Sequence, residues 1–142
     1  SRERILLTVE KQELKVDEKA EGEMFRLVNE ERKKQGTKEL VWVPEMVAVA
    51  RDHASDMWQK KYFGHVSPDG EDVGDRLENA GIDYRIAGEN LALAPTLLTA
   101  HNGLMNSEGH RRNILDPDFK RMGIGVIDNG VYGKMFVQVF TD

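Results

Sequence analysis

The stretch "MGIGVIDNGVYGKMFVQVF", residues 122–140, carries the clearest fold signal in the chain. Apolar side chains alternate with smaller or polar ones over residues 122–126 and again over residues 135–139, on either side of the turn-forming segment 128–130. Alternation with a period of two indicates strands, and an Asn-Gly pair between two such segments favours a tight hairpin turn. The C-terminus is therefore predicted to be an antiparallel β-hairpin.

Helical patterns precede this hairpin. An apolar stripe through Met24, Leu27 and Val28 predicts a helix that begins near Glu18, and Gly36 lies where a residue following a helix belongs. Pro44 suits the first turn of a second helix. This second helix is predicted to end near Lys60. Further helices are predicted over residues 72–80, closed by Gly81, and over residues 95–106, together with a strand over residues 82–86.

This element order, with helices first and an antiparallel sheet last, indicates an α+β fold. We expect a three-layer α-β-α sandwich in which helices flank a small antiparallel sheet. Residues 1–17 alternate weakly through Ile5, Leu7 and Val9, and we interpret them as an N-terminal appendage or linker. The domain itself is predicted to span residues 18–142.

Composition excludes several function classes. The net charge of −5, without a basic stripe, argues against nucleic acid as a partner. The absence of cysteine excludes thiol nucleophiles, thiolate metal sites and disulfides.

No apolar run approaches the roughly 18 residues of a membrane span, so the domain is not expected to cross a membrane. The chain begins with Ser1, and we expect a signal or anchor upstream of it.

Polar residues next to glycine mark the candidate site. The segments "FGHVSPDG", "AGENLA" and "SEGHRRN" contain His65, Glu89, Glu108 and His110. Two imidazoles with nearby carboxylates form a ligand set that zinc accepts, and the same set could serve as general acid and base without a metal. Glu108 and His110 are two positions apart and would diverge on a regular helix, so only the fold could gather these segments.

These segments, followed by "MGIGV" and "FVQVF", resemble in order the bacterial branch of the CAP superfamily, or SCP-like extracellular domains, related to cysteine-rich secretory, antigen 5 and pathogenesis-related proteins. The resemblance covers residues 23–141 and implies an α-β-α sandwich. It also implies a secreted or cell-surface location and a central cleft lined by His65, Glu89, Glu108 and His110. In some relatives the two histidines, here His65 and His110, bind zinc or another divalent cation.

Two features depart from the family pattern. Leu104 and Met105 stand where bacterial relatives commonly have an aromatic residue, and many of those relatives lack a glutamate at the position of Glu108. Three functions stay open: a cleft that binds a ligand (a lipid, glycan or protein) with or without a divalent cation, a zinc-dependent hydrolase or peptidase, and a structural or adhesive surface module. The resemblance does not decide whether the protein is an enzyme.

Other features have less specific readings. Ser67 and Ser107 lie near the two histidines, but neither lies in a G-x-S-x-G elbow, so we expect Ser67 to shape its turn and Ser107 to satisfy backbone groups at a helix end. His53 is interpreted as a solvated or half-packed helix residue. Arg111 and Arg112 could bind an anion or pair with Asp116 or Asp118.

Overall fold

The fold is taken from a computed structural model that describes residues 13–142. Within these residues the helices are α1 (Glu18–Lys34), α2 (Pro44–Lys60), α3 (Val73–Asn79), α4 (Leu97–Met105) and α5 (Glu108–Leu115). The strands are β1 (Lys15–Val16), β2 (Val41–Trp42), β3 (Ala87–Ala94), β4 (Arg121–Asp128) and β5 (Lys134–Thr141).

The strands form one sheet in the order β1-β4-β5-β3, with antiparallel neighbours. The short strand β2 pairs in parallel with the start of β4, while β1 pairs with its end. The predicted hairpin is confirmed as β4 and β5. The tight turn predicted at the Asn-Gly pair is wrong, because residues 129–133 form a longer loop with a 3-10 turn at Gly130–Tyr132. Gly130 and Gly133 both adopt positive φ there, which glycine tolerates without steric strain.

Helices cover both faces of this sheet, which confirms the α-β-α sandwich. On one face α1, α4 and α5 pack against side chains such as Ile124 and Phe136. On the other face α2 and α3 pack against side chains such as Val137 and Val139. Because both faces are covered, the interiors of β4 and β5 are buried almost throughout.

Two glycines of β4 allow α2 to lie directly on the sheet. A Cβ atom at Gly123 would approach the Met46 carbonyl carbon to 2.3 Å, and one at Gly125 would approach the Arg51 amide nitrogen to 2.3 Å. These distances are far below van der Waals contact, and backbone atoms cannot move aside as a flexible side chain can. The "GIG" motif is therefore a helix-packing feature of the sheet.

Most predicted helices are confirmed, including the Pro44 start of α2 and the positive-φ glycines that follow α1 and α3. The strand predicted over residues 82–86 is wrong. Pairing with β5 begins only at Ala87, and the backbone amides of Arg85 and Ile86 donate instead to the Asp142 carboxylate.

The N-terminal boundary is described only in part. Val16 and its neighbour Lys15 pair with β4, and the side chain of Asp17 caps α1. The interpretation of residues 1–17 as an appendage stays a prediction, since the alternation noted at Ile5, Leu7 and Val9 lies outside the described residues.

Candidate ligand-binding site at the edge of strand β3

The best-defined polar contact of the site joins His65 to Glu89. His65 lies in the loop between α2 and α3, and its Nδ1 is 2.8 Å from Oε1 of Glu89 on β3. The imidazole side chain is 55% exposed, whereas the carboxylate side chain is only 2% exposed. A buried carboxylate therefore orients a solvent-accessible imidazole, whose Nε2 makes no hydrogen bond within residues 13–142.

Arg76 neutralises the buried carboxylate. Its Nη2 lies 2.7 Å from the Glu89 Oε2, and the same nitrogen donates to the His65 carbonyl oxygen at 3.2 Å. Each Glu89 oxygen thus accepts a hydrogen bond from a different partner, as a buried charge requires. The hydrogen bond with Glu89 raises the pKa of His65 above the ordinary histidine value, and partial burial opposes this effect.

His110 reaches the site from the opposite helical layer. It lies on α5, a helix that was not predicted, and its Nδ1 is 2.8 Å from the Ser107 Oγ. Ser107 occupies the position before the helix but makes no capping hydrogen bond to the backbone. The expectation that Ser107 satisfies backbone groups is therefore wrong; its hydroxyl is a partner of the imidazole.

A buried amide network fixes α5 to the sheet. Asn90, fully buried on β3, donates from Nδ2 to the His110 carbonyl oxygen and to the Gln138 Oε1, both at 3.0 Å. Asn113 on α5 donates to the Asn90 Oδ1 at 2.9 Å. Neighbouring residues of a strand point to opposite faces of the sheet. Glu89 and Asn90 therefore direct their side chains to opposite faces of the sheet. Glu89 contacts the His65 ring, and Asn90 contacts the His110 backbone.

Glu108 stands apart from the other three candidates. Its side chain is 80% exposed and pairs with Arg112 at 3.2 Å, one helical turn away. Among the described residues no hydrogen bond or ion pair joins it to His65, Glu89 or His110. The argument that Glu108 and His110 diverge on a helix thus holds.

The two arginines of α5 have partners that were not predicted. Arg112 pairs with Glu108, and Arg111 donates to the Met105 carbonyl oxygen at 2.9 Å. The predicted pairings with Asp116 or Asp118 are wrong. Ser67 shapes its turn as expected, since its Oγ accepts a hydrogen bond from the Glu71 amide.

The imidazole nitrogens of His65 and His110 are the candidate metal donors of the site. In residues 13–142, no three His, Cys, Asp or Glu side chains come together as a metal site. His65 and His110 each engage Nδ1 in a hydrogen bond, with Glu89 and Ser107 respectively, which leaves both Nε2 atoms for ligation. Imidazole nitrogen is a donor that zinc accepts, so His65 and His110 are the residues that could hold a cation.

Three contributors were not predicted. No sequence motif indicates a role for Arg76 or Asn90. Their hydrogen bonds to Glu89 and to the His110 carbonyl are seen only in the tertiary structure. His53 was wrongly interpreted as solvated or half-packed, since it is 2% exposed. Its position could have been inferred, because it lies three residues after Ala50 and four before Met57, on the apolar stripe of α2.

None of the helices within residues 13–142 has the length and apolar character to cross a membrane.

The chain is similar to a known protein family and to known proteins. The family model described as "CAP: Cysteine-rich secretory protein family" matches residues 25–140. The uncharacterised protein YkwD of Bacillus subtilis is 39% identical over 119 residues, which cover 82% of this chain and 46% of that protein. The chain thus spans less than half of this relative's length.

Solved structures agree with the fold. An extracellular protein containing an SCP domain from Bacillus anthracis superposes with a TM-score of 0.80 at 34% identity, covering 88% of this chain and 41% of that one. An outer surface protein of Borrelia burgdorferi superposes with a TM-score of 0.87 over 93% of this chain and 98% of that one, and its 18% identity supports the fold alone. The order of the motifs, the sandwich around the β4–β5 hairpin and the family match agree: the chain belongs to the CAP family of cysteine-rich secretory proteins.

Proposed function

We propose that this domain binds a ligand at the edge of β3 through the imidazoles of His65 and His110, with a divalent cation such as zinc between protein and ligand. The observation that supports this most strongly is the contact between the Glu89 Oε1 and the His65 Nδ1 at 2.8 Å. A carboxylate that accepts from Nδ1–H fixes the tautomer in which Nε2 carries the lone pair, as it does for histidines that bind metals.

The histidine on α5 has a comparable arrangement. The Ser107 hydroxyl occupies the Nδ1 side of His110, and the imidazole is partly exposed. Two outward Nε2 atoms supply two protein ligands, one fewer than the three of a usual catalytic zinc centre. The open coordination positions favour a role in which the cation joins the protein to an oxygen-bearing ligand.

Binding is better supported than hydrolysis. A metal-dependent hydrolase uses a carboxylate to take a proton from a metal-bound water. Both Glu89 oxygens already accept hydrogen bonds, from His65 and Arg76, and Glu108 pairs with Arg112 in solvent. Neither carboxylate is positioned as a free base, so we assign the site a binding role.

We further propose that the protein acts outside the cell or at its surface. The Bacillus anthracis protein of similar structure supports this, since it is described as extracellular. A structural or adhesive role would not depend on the two histidines. Attachment to cells or cell-wall material that survives loss of both imidazoles would favour it.

Isothermal titration of chelator-treated protein with zinc at neutral pH tests the binding proposal. We expect one-to-one binding that His65→Ala or His110→Ala abolishes. Glu108→Gln should bind zinc normally, because Glu108 contacts neither histidine. His101→Gln is a matched control, since His101 is a buried histidine on α4 that bonds to Glu31. Absence of zinc binding by the unaltered protein, or binding that survives both alanine substitutions, would refute the proposal.

A further inference from the structure

A second, buried histidine lies behind His65. His53 is on α2, and its side chain is 1% exposed. Its Nε2 lies 2.9 Å from the Gly64 carbonyl oxygen and 4.0 Å from the Glu89 Oε1. His53 thus contacts the residue before His65 and lies close to Glu89, the carboxylate partner of His65. The binding function proposed above assigns it no role.

The contacts of His53 determine which nitrogen carries its proton. A carbonyl oxygen only accepts hydrogen bonds, so the ring must donate Nε2–H to Gly64. Burial lowers the pKa of His53, while the nearby Glu89 charge opposes this shift, and the ring is therefore neutral near pH 7. The Tyr62 hydroxyl approaches Nδ1 at 3.4 Å but donates its proton to Asp56 at 2.5 Å.

The part of the loop that carries His65, residues 63–66, has few anchors among the described residues. Two of its apolar side chains, Phe63 and Val66, are 55% and 57% exposed, so hydrophobic burial contributes little to holding this segment. Its backbone is held instead by side chains of two helices. His53 of α2 binds the Gly64 carbonyl, and Arg76 of α3 binds the His65 carbonyl.

These contacts surround the bond that orients His65. The Glu89 carboxylate is fixed on β3 and is held by Arg76. The His65 Nδ1 therefore reaches it only if the loop backbone lies at the correct distance from this strand. The His53 bond acts one residue before His65, on the inner side of the loop. Removing a hydrogen-bond donor there would leave a carbonyl without its partner and release the segment.

We propose that His53 is a positioning residue for His65: its Nε2–H bond to the Gly64 carbonyl holds the loop where the His65 Nδ1 meets Glu89. This positioning role is argued from the contacts of His53 and His65 alone. Only the expected effect on zinc affinity rests on the proposed function. His53 itself touches neither the ligand nor the cation.

The test compares two substitutions at this position. His53→Gln keeps a side-chain N–H that can donate to Gly64, whereas His53→Leu keeps an apolar side chain of similar bulk without a donor. His101→Leu makes the same change at a buried histidine on the opposite face of the sheet and serves as the control. All three variants are made in the full 142-residue chain.

The first readout is the ring tautomer of His65, measured by ¹⁵N NMR at about pH 9, where histidine rings are neutral. The unaltered protein, His53→Gln and His101→Leu should show the Nδ1–H form. His53→Leu should shift His65 toward the Nε2–H form that free imidazole side chains favour in water. Persistence of the Nδ1–H form in His53→Leu would overturn the proposal, as would an equal shift in His101→Leu.

The second readout is zinc affinity by isothermal titration. His53→Leu should weaken binding by about 10- to 100-fold, the usual effect of losing a residue that orients a metal ligand, and His53→Gln should restore most of it. The two readouts separate the proposals. A tautomer shift without zinc binding by the unaltered protein refutes only the metal function, whereas normal zinc binding with an unchanged tautomer in His53→Leu refutes only the role of His53.

A measurement on the unaltered protein covers the case in which His53→Leu does not fold. The His53 Nε2–H proton should exchange slowly with solvent and show a nuclear Overhauser effect to Gly64, because the bond is buried. Rapid exchange of this proton, or the absence of any contact with Gly64, would overturn the proposal without any variant.

Discussion

The Arg76 Nη2 lies 2.7 Å from the Glu89 Oε2, and both side chains are largely buried, at 12% and 2% exposure. This ion pair lies directly beneath the imidazole of the proposed site. Its partners come from α3 and β3, so it also joins a helix to the edge of the sheet. The Glu89 carboxylate therefore contributes both to the stability of the fold, through Arg76, and to the orientation of His65 in the proposed binding site.

Loss of the Arg76 side chain should destabilise the fold strongly. Arg76→Met leaves the Glu89 carboxylate buried without its cation, and breaking such a pair costs about 3–5 kcal/mol. Urea unfolding of the variant measures the change in the free energy of unfolding. Arg112→Met is the matched control, because the Arg112–Glu108 pair is exposed and is expected to change stability by no more than about 1 kcal/mol. Equal effects of the two substitutions would contradict the assignment of Arg76.

Alanine at Gly125 should prevent α2 from packing on β4. The new Cβ atom would lie 2.3 Å from the Arg51 amide nitrogen, so the helix would have to move, at about 3 kcal/mol or more. Thermal unfolding followed by circular dichroism measures the loss.

The control for this prediction is Gly22→Ala on α1. A Cβ atom at Gly22 would meet no atom within 4 Å, and alanine in a helix interior should raise stability by about 0.5–1 kcal/mol. A Gly125→Ala variant as stable as the unaltered protein would mean that α2 does not rest on this strand.

The stability of the fold should fall on acidification because of His53. Its folded pKa is lowered by burial, so between the ordinary histidine value and this lower value the unfolded chain binds a proton that the folded chain does not. Stability from this group is present above the ordinary pKa of about 6.5 and is lost as pH falls toward the folded value. His65 acts in the opposite sense, since its folded pKa is raised and its contribution is lost as pH rises through that value.

Thermal midpoints between about pH 8 and pH 5, a range that spans the ordinary histidine pKa, should separate the two histidines. The thermal midpoint of His53→Gln should fall less on acidification than that of the unaltered protein, because glutamine does not titrate. The thermal midpoint of His65→Gln should fall more steeply on acidification, because the opposing contribution of His65 to stability is removed. Identical acid profiles for the unaltered protein and His53→Gln would contradict the buried, neutral state of His53.

Zinc affinity should weaken as pH falls. Zinc binds the neutral imidazole, and the hydrogen bond with Glu89 raises the pKa of His65, so proton competition should begin above the ordinary histidine pKa of about 6.5. Titrations at several pH values measure this competition. Glu89→Gln removes the negative charge beside the ring and should move the onset of competition to lower pH. An affinity that stays constant from about pH 8 to pH 5 would exclude ligation by histidine.

Local sequence patterns correctly predicted a large part of the architecture. The alternation in residues 122–140 predicted the hairpin, Pro44 predicted the start of α2, and Gly36 and Gly81 marked the ends of two helices. These signals follow from short-range sterics and side-chain periodicity, which act within a few residues. Where such a signal was weak, as for β3 and α5, the prediction failed or was missing.

The motifs and their order also determined the family, and with it the four candidate residues. Tertiary structure decided which of those residues come together. His65 and Glu89 are 24 positions apart and meet only because the loop after α2 folds over β3, while Glu108 turns to solvent with Arg112.

The burial of His53 and the pairing of Arg76 with Glu89 likewise depend on how helices and strands pack across the sheet. Amino-acid type and spacing establish which groups are available. Their distances and solvent exposure arise from contacts between segments far apart in the chain, and these contacts determine which imidazoles are open to solvent and which are buried.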